Sequence, residues 1–248
     1  MTAESNFQSL IEELAPAIAR DPCPRATIRV GAIGHRNIEG AAREKIVRTV
    51  EEVLNLIRHA AEDELRKPLT RWQFADGLDL VVVSPLAEGA DRLIAQVGLA
   101  QDYRLGVILP FAAVDYEATF DLGNHVEAIA DFRALLAKAA QPKGYGILVL
   151  DGDAKPGTRR DAAFLNCAKS VSRWSDILIA ILAEDRMESQ TGCSALEAVD
   201  MGVPVVIIDP QRPAGFTLRI HDEGYDASSS DPAARLTEFV ASVLALSA

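Results

Sequence analysis

Short, uninterrupted runs of β-branched and aliphatic residues punctuate the chain, and longer stretches with helical hydrophobic periodicity lie between them. The runs Thr27–Ile33, Leu78–Ser84, Leu105–Leu109, Gly146–Leu150, Ile177–Leu182 and Val203–Asp209 show little alternation of apolar with polar residues. Runs of this kind read as strands buried on both faces. Between the first two, Ile46, Val50, Val53 and Ile57 recur at i, i+4, i+7 and i+11 with charges on other positions, which predicts an amphipathic helix. Similar helices are predicted over Glu88–Gln101, Val126–Ala140, Arg159–Ser172 and Thr191–Met201, the last closing on Gly202 and Pro204.

Doubly buried strands that alternate with helices predict an α/β fold. We read residues 26–248 as a single doubly wound domain with a mostly parallel sheet, right-handed crossovers and helices on both faces. Residues 1–25 read as an N-terminal helical appendage ended by Pro22-Cys23-Pro24. Residues 210–231 read as loop with one short strand at Phe216–Ile220, ahead of a final amphipathic helix from Asp231.

Composition narrows the function classes. The 248 residues are 49% apolar, and a chain of this length buries roughly 70% of its unfolded surface, enough for a core without covalent staples. Three scattered cysteines, Cys23, Cys167 and Cys193, match no zinc spacing and suit a reducing compartment. The first residues carry acids where a signal peptide needs bases, and no apolar run approaches the ~18 residues that span a bilayer. A cytoplasmic protein without membrane partners is expected. The 25 basic and 36 acidic residues give a net charge of −11, and the segment Glu184–Ala248 holds 11 acids and 4 bases. Binding that depends on neutralising many phosphates is disfavoured, which argues against a long nucleic acid while leaving room for one small basic pocket.

In an open parallel sheet, ligands bind outside the carboxyl ends of the strands, so the residues after each strand are the candidates. The first strand runs into Gly34-His35-Arg36. Gly34 allows a tight turn from which His35 and Arg36 enter the cleft, and a guanidinium fork suits phosphate or carboxylate. A solvated turn is the plainer alternative. The second strand ends in Ser84-Pro85-Leu86-Ala87-Glu88-Gly89-Ala90-Asp91. Its small residues let backbone approach a ligand, and Glu88 and Asp91 open the next helix, where acids also serve as caps and dipole complements. Pro110 and Phe111 follow the third strand as a wall for a ring or as loop packing. After the Ile177–Leu182 strand, Thr191-Gly192-Cys193-Ser194 opens a helix whose amides and hydroxyls suit a phosphate. Glu197 lies three residues past Ser194, the spacing of a capping box and equally of a carboxylate over the cleft. Asp176 reads as structural, Cys193 has no histidine at a recognisable partner position, and no residue pattern implies a metal or a cofactor.

Taken in order, VGAIGHRNI, SPLAEGADRLIAQVGLA, LPF with DYEATF, SDILIAI and TGCSALEAVDMGVPVVIID resemble the SLOG superfamily of Rossmann-like domains over about Thr27–Asp209. That superfamily includes the LOG phosphoribohydrolases, the Smf/DprA DNA-processing proteins and the ligand-sensing domains of TRPM channels and bacterial anti-phage systems. The resemblance implies a pocket for a nucleotide derivative built from Gly34, His35 and Arg36, from Ser84, Glu88, Gly89 and Asp91, and from Thr191, Gly192, Ser194 and Glu197. Here Thr191-Gly192-Cys193 replaces the Gly-Gly-Thr of LOG enzymes, and Glu184, Asp185 and Glu188 beside it oppose a polyanion.

Three functions follow in order of expectation. The first is binding or sensing of a nucleotide-derived small molecule, such as a nucleoside phosphate, an ADP-ribose-like compound or a cyclic nucleotide, in a defence or signalling setting. Arg36 and the Gly192–Ser194 amides would take phosphate, and Glu88 or Glu197 the ribose. The second is hydrolysis of an N-glycosidic bond with Glu197 or Glu88 supporting the oxocarbenium-like transition state. The third is DprA-like binding of single-stranded DNA, which needs an electropositive channel that this acidic composition disfavours. Relatives commonly pair through helices beside the pocket, so a homodimer or higher homo-oligomer is expected, with the helix carrying Val47 and Leu54 as its candidate face.

Overall fold

A computed structural model describes residues 25–38, 40, 42–67, 77–120, 125–221 and 231–245. The expected helix within residues 1–24 lies outside them. The described elements run β1 (Ala26–Gly34), α1 (Ala42–Leu65), β2 (Leu78–Ser84), α2 (Ala90–Ala100), β3 (Arg104–Leu109), α3 (Ala113–Glu117), α4 (His125–Ala139), β4 (Gly146–Val149), α5 (Thr158–Arg173) and β5 (Ile177–Ile181). A 3-10 turn (Glu184–Arg186), α6 (Gln190–Asp200), β6 (Val205–Ile208), β7 (Thr217–Arg219) and α7 (Pro232–Ala245) follow.

The seven strands form one sheet in the order β4-β3-β2-β1-β5-β6-β7, parallel throughout except for β7, which pairs antiparallel with β6. The chain winds outward from β1 through β2 and β3 to β4, then returns to place β5 on the other side of β1. The winding therefore reverses between β1 and β5, and the ends of these two strands open a crevice that no crossover covers. Their register sets Gly34 beside Ile181, so both strands release the chain at the same level.

Both sheet faces are covered, which is why the strands read as continuous apolar runs. In β1 and β2, Ile28, Val30, Ala32, Leu80 and Val82 join the cluster under α1, α2, α4 and α7, while Ile33, Val81 and Val83 join a second cluster with residues of α5 and α6. Asp176 holds β5 against β1: its carboxylate accepts from the Arg29 backbone N–H at 2.8 Å and from the Arg29 guanidinium at 3.1 and 3.2 Å. The helix proposed for self-association spends its apolar face inside the chain. Leu54 is fully buried with Ile46, Val50 and Ile57, Val47 packs against the same cluster, and α1 lies along α7. β4 also departs from expectation. As the outermost strand, paired with β3 alone, it leaves Ile147 and Val149 39% and 50% exposed.

Candidate functional site

Three chain segments lock together at the β1 exit. A Cβ on Gly34 would lie 2.4 Å from the Ala90 Cβ and 2.7 Å from the Ile181 carbonyl oxygen, so glycine lets the turn press against both α2 and β5. The next residue bridges them, its N–H donating to the Ile181 carbonyl (3.1 Å) and its carbonyl accepting from the Ala90 N–H (3.0 Å). Gly89 closes the contact from the other side. Its φ is +86°, and a Cβ there would lie 1.9 Å from the Arg36 carbonyl oxygen.

A cavity of about 250 Å³ opens above this junction. Gly34, His35, Arg36, Asp91, Pro110, Thr191 and Ser194 line it, with Ile33, Pro85, Tyr116 and Phe164 supplying apolar wall. Its volume falls below the roughly 300–1,000 Å³ of pockets for drug-sized ligands, so it suits a compact ligand or part of a larger one.

Its floor and rim differ electrically. Asp91 is 5% exposed, and its Oδ1 has no hydrogen-bond partner. Burial pushes its pKa well above the carboxylate range, against the opposing pull of Arg36 and of the Ala87 and Gly34 backbone amides. Burial, reinforced by Arg186, pulls the His35 imidazole toward its neutral form, and its Nε2 is likewise buried without a partner. The Tyr116 hydroxyl and the Cys167 thiol are both pushed up by burial, and Cys167 Sγ donates to the Ile108 carbonyl at 3.1 Å, so this thiol is no nucleophile. Burial thus disfavours charge on the groups of the deep part. At the rim stand the exposed Arg36, its guanidinium 5.7 Å from the Phe164 ring centroid, and the N-terminus of α6.

That helix starts earlier than its sequence suggests. Ser189 is the N-cap and accepts from the Gly192 N–H at 3.2 Å, while the Cys193 N–H donates to the Ser189 carbonyl at 2.8 Å. The amides expected to hold phosphate are therefore engaged within the helix start, and the N–H groups of Gln190 and Thr191 are the ones that helix geometry leaves without an intrahelical acceptor. Ser194 lies a full turn inside α6 and donates to the Gln190 carbonyl at 3.0 Å, so no capping box joins it to Glu197.

Seven expected residues meet in the cavity, and six stand elsewhere. Ser84 is fully buried, donating to the Asp91 carbonyl and accepting from the Leu86 N–H, both at 3.0 Å. Glu88 is buried and exerts its charge on Arg92. Phe111 packs behind the wall, edge-on to Tyr116 at 5.8 Å. Gly89 and Gly192 shape backbone, and Glu197 pairs with Lys169 at 3.2 Å. Sequence reasoning missed Phe164, Cys167 and Ala168, which form one i, i+3, i+4 face of α5. Their periodicity was visible, but their approach to the β1 exit depends on the crossover from β4 to β5. Among the described residues no group of His, Cys, Asp and Glu could hold a metal ion, and no helix is long and apolar enough to cross a membrane.

The fold and crevice define a Rossmann-like, doubly wound α/β protein with a cavity at the point where strand order reverses. No protein-family model matches the chain, and no curated protein sequence does. Five solved chains are similar in structure. One is DNA processing protein A of Helicobacter pylori, described for its single-stranded DNA binding mode: 16% identity, TM-score 0.44, covering 73% of this chain and 64% of that one. Another is DprA of Streptococcus pneumoniae, at 14% identity and TM-score 0.45, covering 86% of this chain and 56% of that one. A third, TM1055, has 16% identity and TM-score 0.38, with 72% of each chain covered. The chain thus spans less than two thirds of both DNA-processing proteins, and no residue role follows from likenesses this distant.

Proposed function

We propose that the protein binds a nucleotide-derived small molecule in the β1/β5 crevice, as an SLOG-type ligand-binding domain. The observation that carries this reading is a buried, partly unsatisfied carboxyl, Asp91, lining a cavity whose rim carries Arg36 and the open end of α6. A phosphate fits the rim, where a guanidinium and the first two amides of α6, which have no intrahelical acceptor, offer donors. The sugar fits the floor, where burial disfavours charge, and the Phe164 and Pro110 wall suits a planar ring. Glu88 and Glu197 drop out of ribose binding in this arrangement, because neither lines the cavity.

Calorimetric titration with nucleoside monophosphates, cyclic nucleotides and ADP-ribose tests the reading. Binding by at least one class is expected, and Arg36→Ala should weaken it roughly tenfold or more, the worth of a hydrogen bond to a charged group. No heat from any compound refutes it. Hydrolysis of an N-glycosidic bond is the second reading, supported by Asp91 as a buried acid able to protonate a leaving base. Chromatography for free base after incubation separates the two, and Asp91→Asn should abolish any release. Two structures to which the chain is similar are DNA-processing proteins, so the expectation against a long nucleic acid, which rests on net charge, goes to a gel shift at low salt. A shifted single strand that competes with the nucleotide would overturn that expectation.

A further inference from the structure

We propose that β4 is a self-complementary interface, along which two copies of this chain join edge to edge and antiparallel into one continuous sheet. The two ends of the seven-stranded sheet are built differently. β7 is three residues long, Thr217-Leu218-Arg219, with a hydroxyl and a guanidinium on either side of its one apolar residue. Short strands and charged side chains of this kind keep an edge from recruiting another chain. β4 has neither protection. The run Gly146-Ile147-Leu148-Val149-Leu150 contains no charge and no proline, Ile147 and Val149 are both exposed, and among the described residues no strand lies beyond it. The chain also follows β3 past the strand itself, from the Tyr145 N–H on the Leu105 carbonyl (2.8 Å) to the Gly152 N–H on the Pro110 carbonyl (3.1 Å).

Charge and symmetry name the occupant. Lys143 precedes the strand and Asp151 follows it, both exposed. A parallel second copy would set each charge beside its own kind. An antiparallel copy brings Lys143 of each chain toward the acidic end of the other, where Asp153 adds a second carboxylate. Opposite charges across a strand pair are favourable and like charges are not. With Leu148 on the two-fold axis, Ile147 of one copy falls opposite Val149 of the other, and the symmetry repeats this β-branched pair. Leu148 then faces the same side in both copies. On that side it lines a groove of about 230 Å³ with Val83, Ile108, Tyr145 and the half-exposed Trp174, so the join draws two apolar grooves together on one face. A strand also supplies what a docked helix lacks, extended backbone whose N–H and C=O groups pair with those at the outer edge of β4.

Sedimentation equilibrium of the full chain over a wide concentration range, without ligand, is the test. Wild type should show a reversible equilibrium between monomer and dimer. Val149→Lys should weaken the dimer by at least about tenfold, because each dimer then sets two ammonium groups against apolar partners. Lys143→Glu should weaken it as well, and adding Asp151→Lys to that variant should recover most of the loss, which damage to the edge cannot do. Circular dichroism checks that each variant is folded, and if Val149→Lys is not, the charge pair on exposed positions decides alone. A wild type that stays monomeric throughout overturns the proposal. So does a dimer that a folded Val149→Lys leaves unchanged, or a Lys143→Glu loss that Asp151→Lys does not recover. These outcomes are independent of the nucleotide titrations that test the ligand-binding reading.

Discussion

Replacing Asp91 by asparagine should remove a loss of stability that wild type suffers as pH rises. The carboxyl is 5% exposed, its Oδ1 is unpartnered, and burial raises its pKa well above the unfolded value of about 3.9. A carboxyl raised on folding favours the folded state while it is protonated. Its contribution is fully present below the unfolded pKa and is lost as pH rises through the folded pKa. Between those two values the loss runs at up to about 1.4 kcal/mol per pH unit. Asparagine keeps the size and cannot ionise, so the variant lacks this slope. Groups that the Asp91 charge does not reach contribute equally to both proteins and cancel in the difference, including Glu117, whose bonds from Arg133 push its pKa the opposite way, while Tyr116 and Cys167, which the Asp91 charge helps to raise, are pushed above the range scanned. Urea unfolding followed by far-ultraviolet circular dichroism from pH 4 to pH 8 measures the difference directly. Wild type should lose ground to Asp91→Asn steadily from about pH 4 upward, and the variant should be the more stable protein at pH 8. A difference that stays flat within about 0.5 kcal/mol would mean that Asp91 titrates alike in both states, and the account of the cavity floor would fail with it.

Three further perturbations separate backbone, capping and packing. Gly89→Ala combines a φ of +86° with a Cβ 1.9 Å from the Arg36 carbonyl, whereas Gly157→Ala has a φ of +122° and meets nothing within 4 Å. The second should cost only backbone strain, of order 1–3 kcal/mol, while the first should cost clearly more and also weaken the proposed nucleotide binding by moving Arg36; equal losses in denaturant would refute the contact. Ser189→Ala removes the bond to the Gly192 N–H and should lower stability by about 1 kcal/mol in thermal melts, with no change meaning that water replaces the cap. Phe132→Ala empties a fully buried position between Tyr116 and Phe120 and should cost about 3–5 kcal/mol, and a loss under 1 kcal/mol would show that the aromatic cluster collapses to fill it.

The strands were legible because a sheet covered on both faces leaves no alternation to misread. Ile177–Ile181 and Val205–Ile208 are apolar at every position, and both lie in the sheet interior. β4 carries the same kind of run, but its place at the edge follows from the order of strands, which no local pattern encodes. Helix faces were legible for the same reason as strands, yet their use was not. The stripe Ile46, Val50, Val53 and Ile57 predicts a buried face without saying whether the cover is α7 or a second chain. α3 escaped the periodicity altogether, since its five residues hold little more than one turn.

At the site, proximity to a strand end was legible and direction was not. Glu88 and Asp91 are both acids at the opening of α2, and composition treats them alike. Between them Gly89 takes a φ that side-chain-bearing residues avoid, which lets the backbone reverse against Arg36. Glu88 then acts on Arg92 beneath the surface, while Asp91, one residue into the helix, lines the crevice. A similar shift of frame moved the segment expected to hold phosphate. With Ser189 as the cap, α6 begins at Gln190, so Gly192 and Ser194 are already helix interior and the amides without an intrahelical acceptor belong to the two residues before them. Phe164 and Cys167 illustrate the remaining gap, because they reach the β1 exit from α5 through a crossover that fixes neighbours far apart in sequence. Residue type therefore pointed to the sheet edge where the cavity opens, and the backbone conformation of Gly89 and Ser189 decided which of two plausible neighbours lines it.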